Sequence, residues 1–389
     1  MLSFAEAQQT MISHSRPLAG EKIALLSGRQ RILAETISSP IDVPPFTKSA
    51  MDGYAVGIDD PGPDYRIVEV IAAGQIPGHA LQRGQCAKIM TGAMLPGGAD
   101  RVIKVELTRE SNGLMTVSGH DANTNVMRQG EDLRAGSEVL ARGTLLGAAE
   151  IALLASLGIN RLPVFRRPRV GIITTGSELV KPGRPLPAGR IFNSNFFSLA
   201  AQLGSMAVPW LDLGTVVDDA KKIERAVADS LARCDVIILS GGVSAGDFDY
   251  VPGVLKKLGI ALHFQKVAVQ PGMPTVFGSR KGKYFVGLPG NPVSTYIIFE
   301  VLLKPFIYRL MGHEFRPQLV PAVMVHPFRR RQALRTAFVP VHYHHGQVEI
   351  LPYHGSGHVH ALTRANALLA VPAGTLEIPA GSNIDVGLL

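Results

Sequence analysis

Residues 235–250, DVIILSGGVSAGDFDY, constrain the fold of this chain more than any other stretch. The first six form a nearly continuous apolar run with β-branched side chains, which predicts a strand buried on both faces of a parallel sheet. The run stops at Gly241 and Gly242. Two glycines let the chain turn sharply and bring backbone N–H groups up to a ligand, while Ser244 adds a hydroxyl and Gly246 permits a second bend. Tyr250, Val254 and Leu255 then recur at helical spacing. Strand, glycine loop and helix make a place where an anionic group meets backbone amides beyond the carboxyl end of a strand. The loop fits neither the Walker nor the GxGxxG pattern, and a βα turn that binds nothing has the same outline. Asp247 and Asp249 favour a ligand. A bare phosphate cradle excludes carboxylates, so acids here point to a divalent cation sharing the site.

At 389 residues the chain exceeds one ordinary core, and roughly two to four domains are expected. Its start, MLSFAEAQQTMISHSRPL, carries no basic leader before an apolar block and reads as mature sequence. Ser3 and Glu6 form a capping-box pattern that opens a short helix. Cys86 and Cys234 are the only cysteines, too few for a disulfide framework or a cysteine-based zinc site, which suits a reducing cytoplasm. The net charge of +8 favours anionic partners, yet only 18% of residues are charged. The densest basic spots, RRPR at 166–169 and RRR at 329–331, lie near proposed domain joins and read as solvated linkers. Small anionic substrates are therefore expected, with no nucleic-acid or membrane partner.

In chain order, a short helix and the strand-like ILAETISS precede a proline turn and FTKSAMDGYAV. Asp52 and Gly53 turn within apolar surroundings, so the Asp52 carboxylate is expected at an element edge. Thr91 and Gly92 follow another strand-like run, in KIMTGAMLPGGADRVIKVE. Residues 46–139 read as a mostly β insert. Residues 147–160 read as a helix with Ile151, Leu154 and Ala155 on one face, stopped by Gly158. From about 168 to 313 strands and helices alternate, the signature of a βαβ succession with a parallel sheet. Acids and glycines gather where strands end. Glu178 follows one strand, Asp218 and Asp219 a second, and Pro289, Gly290, Asn291 and Pro292 a third, with Ser294 at the next helix start. Helix capping alone accounts for Asp218 or Asp219. Residues 317–389 alternate with glycine turns, which predicts a small β-barrel or sandwich. Its histidines, among them His342, His344, His345, His354, His358 and His360, have no carboxylate or cysteine at ligand spacing and read as surface residues.

Six motifs in order, SAMDGYAV, IMTGA.LP.GAD, TTGSEL, SGGVSAGDFDY, QPGMPTVFG and GLPGNPVS, resemble the molybdopterin molybdenumtransferase family, the MoeA-like proteins related to the catalytic half of gephyrin. The resemblance spans essentially the whole chain. It implies an elongated four-domain homodimer of multidomain α/β plus β class. An elongated N-terminal domain would comprise 1–45 with 140–165, the β insert 46–139, a MogA-like molybdopterin-binding α/β domain with a central parallel sheet 168–313, and a C-terminal β-barrel 317–389. It also implies insertion of molybdate into adenylylated molybdopterin with release of AMP, assisted by Mg2+ or a similar ion, and possible contact with other cofactor-biosynthesis enzymes. Phosphate and pterin would sit on Gly241, Gly242, Ser244 and Gly246 with Pro289, Gly290 and Asn291. Glu178, Asp218 and Asp249 match positions used around substrate and metal, Glu178 and Asp249 being the metal ligands. Asp52 and Thr91 would approach from the other subunit, and Lys266 completes the catalytic set.

The chain departs from the family where cations are expected. Lys266 is retained, but Gln270 and Met273 stand where lysine is common, and Ser177 stands where an Asp is frequent. Arg335 and Ser356 resemble a fourth-domain arginine and serine that, with Ser294, would hold molybdate. Molybdate binding is then expected to depend on Arg335 and backbone amides more than on lysines. The α/β domain type also occurs in molybdopterin adenylyltransferases and CinA-like nucleotide-processing proteins, though neither requires SAMDGYAV or the C-terminal β segment. A pterin-binding or scaffold paralogue is the non-enzymatic alternative.

Overall fold

The computed structural model describes the whole chain except Ile58, Pro61 and residues 244–249 and 353–356. Two compact units result. The first comprises Met1–Ala34, Gly143–Gly147 and Arg161–Leu389, and the second Glu35–Arg142 with Ala148–Asn160.

The first unit begins with α1 (Phe4–Ser13). Its capping box is formed as the sequence predicts, Ser3 Oγ accepting from the Glu6 amide and Glu6 from the Ser3 amide. The centre of the unit is built from β1 (Val170–Thr175), α2 (Ser194–Ser205), β2 (Trp210–Val216), α3 (Ala220–Ser230), β3 (Val236–Ser240), α4 (Val251–Lys257), β4 (Ala261–Phe264), β5 (Val276–Arg280), β6 (Lys283–Leu288) and α5 (Pro292–Ile298). The strands form one sheet in the order β2, β1, β3, β6, β5, β4. Strand β3 is buried at every residue, as its apolar run requires, and lies parallel to β1 and β6. Each isoleucine it removes from water stabilises the fold by about 1.5–3 kcal/mol. The sheet is not parallel throughout. Strands β6, β5 and β4 pair antiparallel because tight turns, and not crossover helices, join β5 to β6. Two apolar cores cover the faces. One includes Ile172, Ile238 and Val286, the other Ile173, Ile237 and Phe285, which is the alternation a pleated strand imposes.

The C-terminal part of the same unit contains β7 (Leu319–Met324), β8 (Thr336–His344), β9 (Gln347–Ile350), β10 (Ala367–Val371) and β11 (Asn383–Leu388). They pair in the order β8, β9, β7, β11, β10, and β10 returns to β8, closing a five-stranded barrel. The short strand Val269–Gln270 joins β8 in parallel, tying the barrel to the α/β part. His342 and His344 share one side of β8 with ring centroids 6.2 Å apart, both exposed.

Both basic clusters differ from the solvated linkers expected of them. Arg166 makes a two-pronged bond to Asp235, at 2.7 and 2.9 Å, and Asp235 is almost fully buried at the entrance to β3. Arg330 donates to the carbonyls of Thr375, Arg335 and Pro372, stitching three barrel segments together, while Arg329 pairs with Glu377. A guanidinium with five donors can cross-link several chain segments that lysine could not.

The second unit is a six-stranded sheet in the order Arg101–Lys104, Gly53–Val56, Gln85–Ile89, Asp64–Ile71, Leu114–Val117, Thr108–Ser111. Tyr54, Cys86 and Met115 pack on one face, Ala55, Ala87 and Val102 on the other. Burial pushes the Cys86 thiol up to about 12, so this free cysteine behaves as a core residue. The expected helix is present at Ala148–Ser156 and ends before Gly158, whose φ of 73° suits glycine. Of its expected apolar face only Leu154 is buried, and Ala155 is exposed. The strand expected in ILAETISS shrinks to Ile37–Ser38.

Candidate functional site

A cavity of about 590 Å3 opens at the carboxyl ends of β1, β3 and β6. The turn after β3 depends on glycine. Gly241 has a φ of 100°, and a Cβ there would stand 2.4 Å from the Thr175 carbonyl oxygen, while Gly242 follows at 66°. The turn is fixed by the Gly241 N–H to the Leu288 carbonyl and by the Val251 N–H to that of Gly242. Gly242, Pro289, Gly290 and Asn291, the expected pterin and phosphate contacts, line this cavity. Gly241 sits behind them in the turn. Ser244, Gly246, Asp247 and Asp249 lie outside the described residues.

Two asparagines that sequence reasoning missed organise the opposite wall. Asn193 caps α2 through the Phe196 amide and donates to the hydroxyls of Thr174 and Thr215. Asn195 donates to Ser240 Oγ and to the Gly290 carbonyl, both at 2.8 Å, clamping β3 to the loop after β6. Those two bonds use the amide nitrogen. Its buried Oδ1, like Thr175 Oγ1, has no hydrogen-bond partner among the described residues. Both residues line the cavity, so its wall presents buried acceptors awaiting a donor. The available signal was NSN directly before an apolar-periodic run, a helix start with one asparagine more than capping needs.

Glu178 lies exposed on the cavity rim, in the loop after β1. Any Cβ on Gly176 would approach its carboxylate to 2.7 Å, so the glycine admits the acid to this position. The two neighbouring aspartates divide their work. Asp218 accepts from the Ser177 amide at 2.8 Å and its own amide donates to Ser177 Oγ, bracing the loop that carries Glu178. Asp219 caps α3 through the Lys222 amide. Asp218 is not among the residues that form the cavity wall. The Glu178 carboxylate offers oxygen ligands, chemistry that suits a hard cation such as Mg2+. Among the described residues no three His, Cys, Asp or Glu side chains converge as a metal cluster, and Asp249 is outside them.

The remaining expected residues are dispersed. Lys266 is exposed between β4 and the strand Val269–Gln270, and its carbonyl accepts from the Leu2 amide. Ser294 is buried in α5, and neither residue is on the cavity wall. Arg335 is half-buried at the start of β8, where its carbonyl receives the Arg330 guanidinium. Ser356 lies outside the described residues, but its neighbours Gly357 and Val359 reach the cavity, so the barrel helps to wall it. Gln270 faces a different cleft, beside Arg329 and Arg330.

In the second unit, Asp52 and Thr91 are joined. Asp52 Oδ1 accepts from the Thr91 hydroxyl at 2.6 Å and from its amide at 2.7 Å, and these bonds hold the carboxyl below the usual range. They share a cleft of about 650 Å3 with Lys104, which pairs with Asp121 at 3.1 Å, and with His120.

Models of three known regions match the chain: the MoeA N-terminal region (domain I and II) over residues 2–158, a probable molybdopterin binding domain over 171–309, and the MoeA C-terminal region (domain IV) over 322–389. A protein of Haemophilus influenzae named molybdopterin molybdenumtransferase is 34% identical over 99% of this chain and 98% of its own. One of the same name from Bacillus subtilis is 35% identical over 95% and 90%. A crystal structure described as the molybdopterin biosynthesis MoeA protein of Pyrococcus horikoshii superposes with a TM-score of 0.85 at 31% identity, covering 100% of this chain and 99% of the other.

Proposed function

The chain belongs to the molybdopterin molybdenumtransferase family, and from that premise we propose that it inserts molybdate into the dithiolene of adenylylated molybdopterin and releases AMP during molybdenum cofactor biosynthesis. The observation that carries this reading is the cavity itself. A glycine turn that permits close backbone approach, a carboxylate on the rim and unpaired acceptors in the wall meet at the carboxyl ends of three adjacent parallel strands. A pterin supplies ring N–H donors for Asn195 Oδ1 and Thr175 Oγ1. The phosphates belong at the turn after β3, beside the start of α2.

The division of labour proposed here is the one that the family resemblance implies. Gly241, Gly242, Ser244 and Gly246 with Pro289, Gly290 and Asn291 hold pterin and phosphate, while Ser294, Arg335 and Ser356 hold molybdate. Glu178 and Asp249 hold Mg2+, which when bound supplies positive charge against the phosphoanhydride. Asp218 keeps the Glu178 loop in place. Water attacks the anhydride phosphorus, the P–O–P bond breaks, AMP leaves and the other phosphate stays on the pterin, while the two dithiolene sulfurs displace oxygen from molybdate, which departs as water with the thiol protons. Asp52, Thr91 and Lys266 complete the machinery, the first two from a second copy in a homodimer whose four-part domain division follows the boundaries above. The protein works in the cytoplasm beside other enzymes of the same biosynthesis. Among the described residues no helix is long and apolar enough to cross a membrane.

The test follows AMP release and metal-loaded pterin together, with Mg2+, in the presence and absence of molybdate. Molybdate-dependent release of AMP with stoichiometric loading is expected. Substrate binding without either product, even with tungstate, would replace catalysis by a binding role.

A further inference from the structure

A second cleft, of about 660 Å3, lies at the opposite end of the same sheet, beside the amino ends of β1 and β2. Strand β1 connects the two sites, and its six residues separate them by roughly 17 Å. The cleft is lined by Arg31, Arg166, Arg167 and Arg169 with Glu21 and Trp210. Four guanidiniums in one concavity need an account of their counter-charges.

Two of them have one. Arg31 bonds to Glu21 and to the Phe165 carbonyl, and Arg166 holds Asp235. Arg167 reaches only the backbone carbonyls of Arg29 and Gln30, at 3.4 and 3.3 Å, and the exposed Arg169 side chain has no carboxylate partner among the described residues. Four guanidiniums thus meet two carboxylates, Glu21 and Asp235, and positive charge is left in excess. The Arg31 side chain is only 9% exposed, and its buried Nε has no hydrogen-bond partner among the described residues; nor does the Nε of Arg167. Burial, followed by the charge of Arg31, pushes Arg167 below its ordinary value against the opposing pull of Glu21. Trp210 stands 41% exposed on the rim, braced by the perpendicular ring of Phe196 at 5.6 Å. A solvated basic face would leave its guanidiniums in water, whereas here they are partly desolvated around a concavity.

We propose that this cleft binds a small phosphate-bearing anion with a flat ring, of the nucleoside monophosphate class, its phosphate between Arg167 and Arg169 and its ring against Trp210. A phosphate monoester carries about −1.5 to −2 at neutral pH, which matches the uncompensated charge. Planar guanidiniums suit its oxygens, and the cleft volume falls within the range of small-ligand sites.

Trp210 is the only tryptophan of the chain, so its fluorescence reports on this cleft alone. The full-length protein is titrated with AMP, inorganic phosphate and adenosine. AMP is expected to quench saturably, and phosphate to compete with it. Adenosine binds at least 10-fold more weakly, and raising the ionic strength weakens AMP as screening requires. Arg169→Glu should weaken AMP at least 10-fold while leaving the rate of metal insertion intact, and Arg169→Gln gives the same direction should the charge reversal disturb folding. Glu178→Gln should leave the quench unchanged. The proposal is overturned by the absence of a saturable signal, by equal affinity in both Arg169 variants, or by loss of the signal in Glu178→Gln, which would place AMP in the catalytic cavity. A polyglutamate peptide that quenches at lower concentration than AMP would overturn it in favour of an acidic protein segment.

Discussion

Asp235 and Glu178 stand at opposite ends of one sheet and show two ways of keeping a carboxylate. Asp235 is 3% exposed and fully engaged, with the Arg166 guanidinium, the Arg169 amide at 2.8 Å and Lys283 at 3.7 Å around it. Burial pushes its carboxyl up, yet these partners outweigh it and hold the group below the usual range. Glu178 has no ion-pair partner among the described residues and faces a cavity whose wall also contains unpaired acceptors. The first carboxylate is complete without a ligand. The second is left to solvent at the cavity rim, where the proposed function gives it a ligand, and that contrast sets a structural charge against a candidate functional one.

The contrast is broken most directly at Asp235. Asp235→Ala strands Arg166 and Lys283 beside the core, and a loss of about 3 kcal/mol is expected in urea unfolding. Unchanged stability would mean that the pair contributes nothing. Glu178→Gln should do the reverse, with insertion slowed at least ~100-fold, or about 2.7 kcal/mol in the barrier, and the unfolding midpoint unmoved. A midpoint shift as large as that of the Asp235 variant would make Glu178 structural.

Acid sharpens the same comparison. Because the folded pKa of Asp235 is depressed, its contribution is present above the unfolded value near 3.9 and is lost as pH falls through the folded value. The acid limb of a stability profile should therefore flatten below about pH 4 in Asp235→Asn. The smallest effect belongs to Thr91→Val. Removal of its hydroxyl, the largest influence on Asp52, should raise that carboxyl toward its ordinary value in a carbon-detected NMR titration, with no change in unfolding midpoint.

Local chemistry was legible wherever one stretch of chain decides it. The buried run before Gly241 and Gly242 had one reasonable fate, and the helix after Tyr250 follows from its spacing. The barrel was legible as alternation, though its closure by β10 on β8 was not. Sequence could name Asp218 and Asp219 as capping candidates but could not divide them, because the partner that claims Asp218 is Ser177, 41 residues away. RRPR looked like a linker because Asp235, which fixes Arg166, lies 69 residues further on. Asn195 escaped notice since its two partners belong to separate strand ends. What sequence hides here is long-range pairing of polar groups, which has no period to betray it.

The closed barrel has a bearing on how the protein survives crowding. A ring of strands has no first or last member, so a neighbouring polypeptide finds no open row of amides and carbonyls there on which to extend a fibril. The α/β sheet does have ends, at β2 and β4. Both are blunted by a shift in pairing, β2 around Gly214 and β4 between Leu262 and Phe264, kinks that spoil them as templates for growth. Strand-to-strand aggregation of warmed or concentrated protein should therefore start on the open sheets, with the barrel the last part to be recruited.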